Sequence, residues 1–176
     1  MLSINVCTRY VRSMKMTPSE LWHSLHEWRW HKNPDLRHIN DDFMAHSARM
    51  GVLAMRLWPD DQQLVCDCLK HDLGETAGGD MDGEFKRNNP GLKALLDIAE
   101  TDQVRRMGFT PAQPDPRMDI LDKLDAYLTA RLHAPHIMGR EDWQTAREAI
   151  KRNITAHVRD HQTAVALLGM LGGADA

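Results

Sequence analysis

The sequence predicts an all-α protein, a compact helical bundle, and three observations carry that expectation. No segment alternates apolar and polar residues over the length of a strand, while helical apolar spacing recurs in about six or seven windows. Gly and Pro mostly punctuate the chain between those windows. The 176 residues are 42% hydrophobic and 27% charged, which suits a globular chain with one core of ordinary size.

Residues 1–17 read as a polar arm and residues 18–176 as one domain. Thr17-Pro18 with Glu20 has the form of a capping box, so a helix is expected from Pro18 through Leu21, Leu25 and Trp28. Asn33-Pro34 stops it, and a loop rich in His, Asn and Asp follows to residue 41. Asp41 or Asp42 caps a helix from Phe43 to Trp58, with apolar residues at 44, 45, 48, 52 and 55 and also at 53 and 57. Asp60-Asp61 opens a third helix carrying Leu64, Val65, Cys68 and Leu69. Gly74, Gly78 and Gly79 then suggest a flexible loop to about residue 83. Residues 90–108 read as a helix with Leu92, Leu95, Leu96, Ile98 and Val104, and a Pro-rich turn leads to another over 116–132. A last long helix is expected over 141–171.

Twenty-two Lys and Arg against 25 Asp and Glu give a net charge of −3, which argues against a general polyanion-binding surface and against stable nucleic-acid binding. Three cysteines cannot all pair, and Cys66 and Cys68 lie in an apolar run, so buried thiols in a reducing compartment are expected. Residues 164–171 fall well short of the ~20 apolar residues that cross a bilayer. The opening residues have no apolar core of a signal peptide, so a cytoplasmic location and no membrane partner are expected.

Chemistry enters through polar residues on apolar faces. Asp72 continues the Leu64, Val65, Cys68, Leu69 stripe, with His71 beside it, and an inward carboxylate demands a metal or a basic side chain. His46 shares a face with Met50, Leu53 and Leu57, and Asp122 one with Met118 and Ala126. Each alone fits a satisfied core residue. Together, two imidazoles and two carboxylates form a mixed nitrogen–oxygen set that suits one divalent transition metal, Mn²⁺, Fe²⁺, Co²⁺ or Zn²⁺. Such a set leaves coordination positions for water and substrate. Glu75, one turn beyond Asp72, suits acid–base work. Lys86 and Arg87 offer charge to phosphates, Arg29 the same, and Trp30 a face for a nucleobase, with Arg37 and His38 at the rim. Trp22 is the tryptophan assigned to the core. His133 and His136 suit a helix end, and His157 with His161 form a weak i, i+4 pair.

His46, the dyad His71-Asp72, and Asp122 followed by Leu124, Ala126 and Tyr127 resemble the HD-domain metal phosphohydrolases, in that family's order. His71-Asp72-Leu73-Gly74-Glu75, then Gly79-Asp80 and Lys86, with Arg29-Trp30 upstream, resemble the small nucleotide-acting members: 5′-deoxynucleotidases and phage deoxynucleoside triphosphohydrolases. Ala45 stands where members commonly carry Glu. The resemblance spans roughly residues 25–135. It implies an HD-type bundle, metal ligands His46, His71, Asp72 and Asp122, catalytic roles for Glu75 and Asp72, and substrate contacts from Arg29, Trp30, Asp80 (to a sugar hydroxyl) and Lys86. The implied substrate is a small-molecule deoxynucleotide. The first expectation is cleavage of a dATP-type triphosphate to deoxynucleoside and triphosphate, with Mg²⁺ as a companion of the phosphates. The alternatives are phosphate release from deoxynucleoside monophosphates, and a non-catalytic nucleotide-binding regulator. The resemblance also implies a homo-oligomer, with the apolar residues 164–171 as an added sign of an interface.

Overall fold

The computed structural model describes residues 15–30, 32–79, 81 and 83–172; Cys7, Asp80 and most of the polar arm lie outside the described residues. Along the described residues run α1 (Pro18–Ser24), α2 (Phe43–Leu57), α3 (Gln62–Lys70), a 3₁₀ helix (Leu73–Ala77), α4 (Gly83–Asn88), α5 (Pro90–Arg106), α6 (Pro116–His133), a 3₁₀ turn (Pro135–Ile137), α7 (Glu141–His157) and α8 (His161–Gly172). The all-α expectation holds. No helix is long and apolar enough to cross a membrane among the described residues.

Local chemistry sets the helix starts. Thr17 and Glu20 close the expected capping box, with Glu20 N–H donating to Thr17 Oγ1 at 3.2 Å and Thr17 N–H to Glu20 Oε2 at 2.8 Å. Asp42, Asp61 and Asp115 accept from backbone N–H groups in the first turns of α2, α3 and α6. The main core lies between α2, α3, α6, α7 and α8, built on Met50, Leu64, Ile120, Leu124, Ile154 and Leu167. A second cluster gathers Leu36, Ala130, Ala134 and Ile137 against Trp30 and Ile39. A third joins Phe43, Leu73, Val104 and Met107 to Met16, Leu21 and Leu25.

Several expectations are corrected. The first helix stops at Ser24, because residues 27–29 pair instead with residues 41–43: Arg29 N–H donates to Asp41 O and Phe43 N–H to Glu27 O, around a single antiparallel bridge from Trp28 to Asp42. A seven-residue helix buries none of its own residues, and Trp22, assigned to the core, is 60% exposed with its ring edge-on to His23 and His26. Cys66 is exposed, and among the described residues only Cys68 is a buried thiol, its pKa pushed up to about 12 by burial, with nearby carboxylates adding to it. On α2 the buried face carries Phe43, His46, Met50 and Ala54, leaving Ala48, Val52 and Met55 exposed. Leu92, Leu95 and Ile98 of α5 are likewise exposed, since that helix rests mainly on the 3₁₀ helix through its other face.

The long C-terminal helix is two helices. Val158 is extended, and Asp160 accepts from Thr163 N–H at 2.7 Å to start α8. His157 and His161 therefore belong to different helices and form no i, i+4 pair. Of residues 164–171, Leu167 and Leu171 belong to the core and Ala164, Leu168 and Met170 pack on it, so most of the stretch serves the monomer, while Val165 is exposed.

The glycine-rich segment after Asp72 opens on a 3₁₀ helix, Leu73–Ala77, where a loop was expected. Leu73 and Gly74 are buried, and a Cβ at Gly74 would stand 2.7 Å from Glu100 Cβ and 2.8 Å from Glu100 O. Only glycine lets the 3₁₀ helix lie this close to the α5 backbone.

Candidate metal centre

Three helices bring the inward polar residues together. His46 lies in the second turn of α2 and is fully buried. His71 is the C-cap of α3, and Asp72 follows it beyond the helix end, so the dyad sits at a helix terminus instead of continuing the helical stripe. Asp122 projects from the second turn of α6, with its side chain 39% exposed.

His46 Nε2 stands 3.2 Å from His71 Nε2, 3.2 Å from Asp122 Oδ1 and 3.5 Å from Asp72 Oδ2. The other oxygen of Asp72 is 3.1 Å from His71 Nε2. Both imidazoles use Nδ1 elsewhere: His46 Nδ1 faces Asp125 Oδ2 at 2.7 Å, and His71 Nδ1 faces the Cys68 carbonyl at 2.8 Å. A carboxylate and a carbonyl only accept, so each neutral ring carries its proton on Nδ1 and turns a lone pair on Nε2 toward the other. Two lone pairs at 3.2 Å repel unless a proton or a cation lies between them.

The donor spacing fits a cation. With metal–donor bonds of about 2.1 Å, neighbouring ligand atoms stand about 3.0 Å apart in an octahedron and about 3.4 Å apart in a tetrahedron. His46, His71 and Asp122 could hold a metal ion, with one ligand atom from each lying within 4.8 Å of the others; Asp72 borders this trio.

Electrostatics agrees with the geometry. Burial pushes His71 down, but the adjacent Asp72 carboxylate, with Asp122, outweighs it and lifts the imidazole to about 9. His46 is also raised, because hydrogen bonds to Asp122 and Asp125 outweigh its burial. The facing nitrogens have room for one proton between them, not two. Burial would raise Asp72 and Asp125, yet His71 holds the first and Arg49 with His46 the second at about 2. The surroundings keep Asp72 and Asp125 ionised and attract positive charge.

Glu75 lies one 3₁₀ turn past Asp72, its N–H donating to Asp72 O at 2.9 Å. Lys86 of α4 donates to Glu75 Oε1 at 3.1 Å and to Glu100 Oε1 at 3.4 Å, so one ammonium faces two carboxylates. Burial lowers Lys86, but those two charges raise it overall. Arg29 reaches Asp41 at 3.4 Å and Asp125 at 3.5 Å and lies over the Trp30 ring. Trp30 adopts φ +64°, a left-handed conformation costly for a bulky residue, and its indole Nε1–H donates to Asp41 Oδ2 at 3.0 Å. Arg37 and His38 are exposed. A cavity of about 540 Å³ opens at the centre, lined by His71 and Asp122 together with Asp115, Asp119, Asn153 and His157.

Asp125, Arg49, Glu100 and Asn153 were not singled out in the sequence, while Asp41 entered only as a possible helix cap and His157 only as half of a weak i, i+4 pair. Asp125 had a readable signal, since it continues the Leu121, Leu124, Leu128 face of α6. Arg49 and Asp41 had none, because their pairing depends on how α2 meets α6 and the bridge. The fold and site together define an all-helical protein with a nitrogen–oxygen donor cluster at its centre. No family model, no curated protein and no solved structure matches the chain.

Proposed function

We propose that the protein is a metal-dependent phosphohydrolase acting on deoxynucleotides, of the kind its residues resemble. The observation that carries the reading is the pair of imidazole Nε2 atoms facing each other at 3.2 Å beside two carboxylates, with Glu75 one turn away. In this reading His46, His71, Asp72 and Asp122 hold one divalent ion, Mn²⁺, Fe²⁺, Co²⁺ or Zn²⁺. The ion would supply Lewis acidity at phosphorus and lower the pKa of water. Glu75 takes the proton from the attacking water or gives one to the departing 5′ oxygen, while Lys86 holds that carboxylate in place. Arg29 serves a phosphate and Trp30 a base. Asp80 serves the sugar by resemblance. Self-association and a cytoplasmic location belong to the same reading.

The primary substrate is a deoxynucleoside triphosphate, cut at the α-phosphorus, with Mg²⁺ accompanying the phosphates. A second reading, release of phosphate from a monophosphate, is favoured by the acidic lining of the 540 Å³ cavity (Asp115, Asp119 and Asp122) and by the prior pairing of Arg29 and Lys86 with carboxylates. The deciding experiment incubates the Co²⁺- or Mn²⁺-loaded protein with each dNMP and dNTP and follows nucleosides by chromatography, with pyrophosphatase and phosphate detection. Deoxynucleoside and triphosphate from a dNTP support the primary reading, and nucleoside and phosphate from a dNMP the second. No turnover of either class rejects both and leaves a non-catalytic nucleotide binder.

A further inference from the structure

We propose that Asp125 is a positioning residue that holds His46 in the tautomer presenting Nε2 to a cation, and that Arg49 fixes Asp125 for that task. The inference rests on the metal-centre reading and extends it to two residues outside the candidate ligand set. A neutral imidazole has one N–H and one lone pair, and it ligates a metal through only the unprotonated nitrogen. His46 is fully buried, so its neighbours choose which nitrogen that is. Asp125 Oδ2 at 2.7 Å from Nδ1 accepts only, which places the hydrogen there and the lone pair on Nε2, toward His71 and Asp122.

Asp125 is itself clamped. Arg49 Nε–H donates to Oδ1 at 2.6 Å and Arg49 Nη2–H to Oδ2 at 2.9 Å, a two-pronged pairing that fixes the plane of the carboxylate. The same Nη2 donates to Asp41 Oδ1 at 2.9 Å, and Asp41 Oδ2 accepts from Trp30 Nε1–H. Arg29 approaches Asp125 Oδ2 at 3.5 Å. Two guanidiniums thus balance two carboxylates, and the chain of contacts runs from the Trp28–Asp42 bridge through α2 to α6 and ends on the His46 ring. An ion pair that only tied α2 to α6 would need neither contact with His46 nor a particular tautomer.

An Asp125→Asn side chain cannot satisfy both neighbours. Its NH₂ must face either an Arg49 N–H, donor against donor, or His46 Nδ1, which would move the ring proton to Nε2 and block the cation.

The test uses the full chain and two measurements. Co²⁺ titration, read by visible absorption and calorimetry, compares wild type with Asp125→Ala, Asp125→Asn and Arg49→Met, with helical content checked by circular dichroism. Wild type should bind one Co²⁺, and both Asp125 variants should bind about 10–100-fold more weakly with helices intact. Arg49→Met should fall between. Variants that bind as tightly as wild type overturn the proposal while leaving the metal reading standing; a wild type that binds no Co²⁺ overturns both. If the variants do not fold, the long-range ¹⁵N–¹H spectrum of the metal-free wild type, in which no ligation fixes the tautomer, decides. A His46 proton on Nδ1 sustains the proposal, and a proton on Nε2 rejects it.

Discussion

In the absence of metal, the cost of two facing imidazoles should appear as a pH-dependent stability. In the metal-free protein the Nε2 atoms of His46 and His71 stand 3.2 Å apart, and a single proton relieves their repulsion while pairing with Asp72 and Asp122. The folded pKa is raised, from 6.5 to about 9 at His71, so the folded state binds the proton more tightly than the unfolded chain. The sign follows: the stabilisation is fully present below pH 6.5 and is lost as pH climbs to about 9. A rise of that size corresponds to roughly 3 kcal/mol. The lowered pKa of Asp72 reports the same contact from the acid side and adds nothing within this window. Urea unfolding in chelator at pH 6, 7, 8 and 9 should show a progressive fall of that order, and His71→Asn should flatten the slope. With Co²⁺ present the trend should reverse, because ligation requires both Nε2 atoms unprotonated and the metal-induced rise in Tm grows with pH. A metal-free wild type whose stability stays level or increases from pH 6.5 to 9 would refute the reasoning.

Three further outcomes are expected. Gly74→Ala should destabilise by about 1–3 kcal/mol, read as a lower Tm, because its Cβ would stand 2.7 Å from Glu100 Cβ with backbone behind it. Glu75→Gln should lower kcat by ~10²–10⁴-fold with metal content unchanged by elemental analysis; loss of metal would make Glu75 a support of the ligands instead. Trp30→Ala should raise KM by the equivalent of about 1–3 kcal/mol if a base stacks on the ring; an unchanged KM with a lowered Tm would leave Trp30 as the anchor of Asp41 and the second core cluster.

The helices of the main core were legible because a two-sided burial pattern leaves its period in the sequence, and because Asp42 and Asp61, like Thr17 ahead of the first helix, mark helix starts. Asp160 was an equally good mark and reveals the break between α7 and α8 once read as a cap. What failed was the choice of face. Ala48, Val52 and Met55 are as apolar as the residues α2 buries, and Leu92, Leu95 and Ile98 give α5 an apolar side that none of the described elements covers. Trp22 was misread because tryptophan suggests burial, whereas a seven-residue helix at the edge has no second layer over it.

At the centre, His46, His71 and Asp122 come together as their residue types and faces suggested, and Asp72 borders them. Asp125 carries the signal of an inward carboxylate on an apolar stripe more clearly than Asp72 does, since it lies within α6 and its side chain is 6% exposed against 19%. The pairing of Arg29 and Trp30 with Asp41 lay beyond reach, since it depends on a bridge between two irregular segments that periodicity does not describe.

Diffraction from crystals soaked in Mn²⁺, with anomalous data collected, tests the central claim most directly. The account predicts one strong peak within bonding reach of His46 Nε2, His71 Nε2 and an Asp122 oxygen, with Asp72 completing the set. No peak among these side chains at saturating Mn²⁺, with the two Nε2 atoms still 3.2 Å apart, would contradict it.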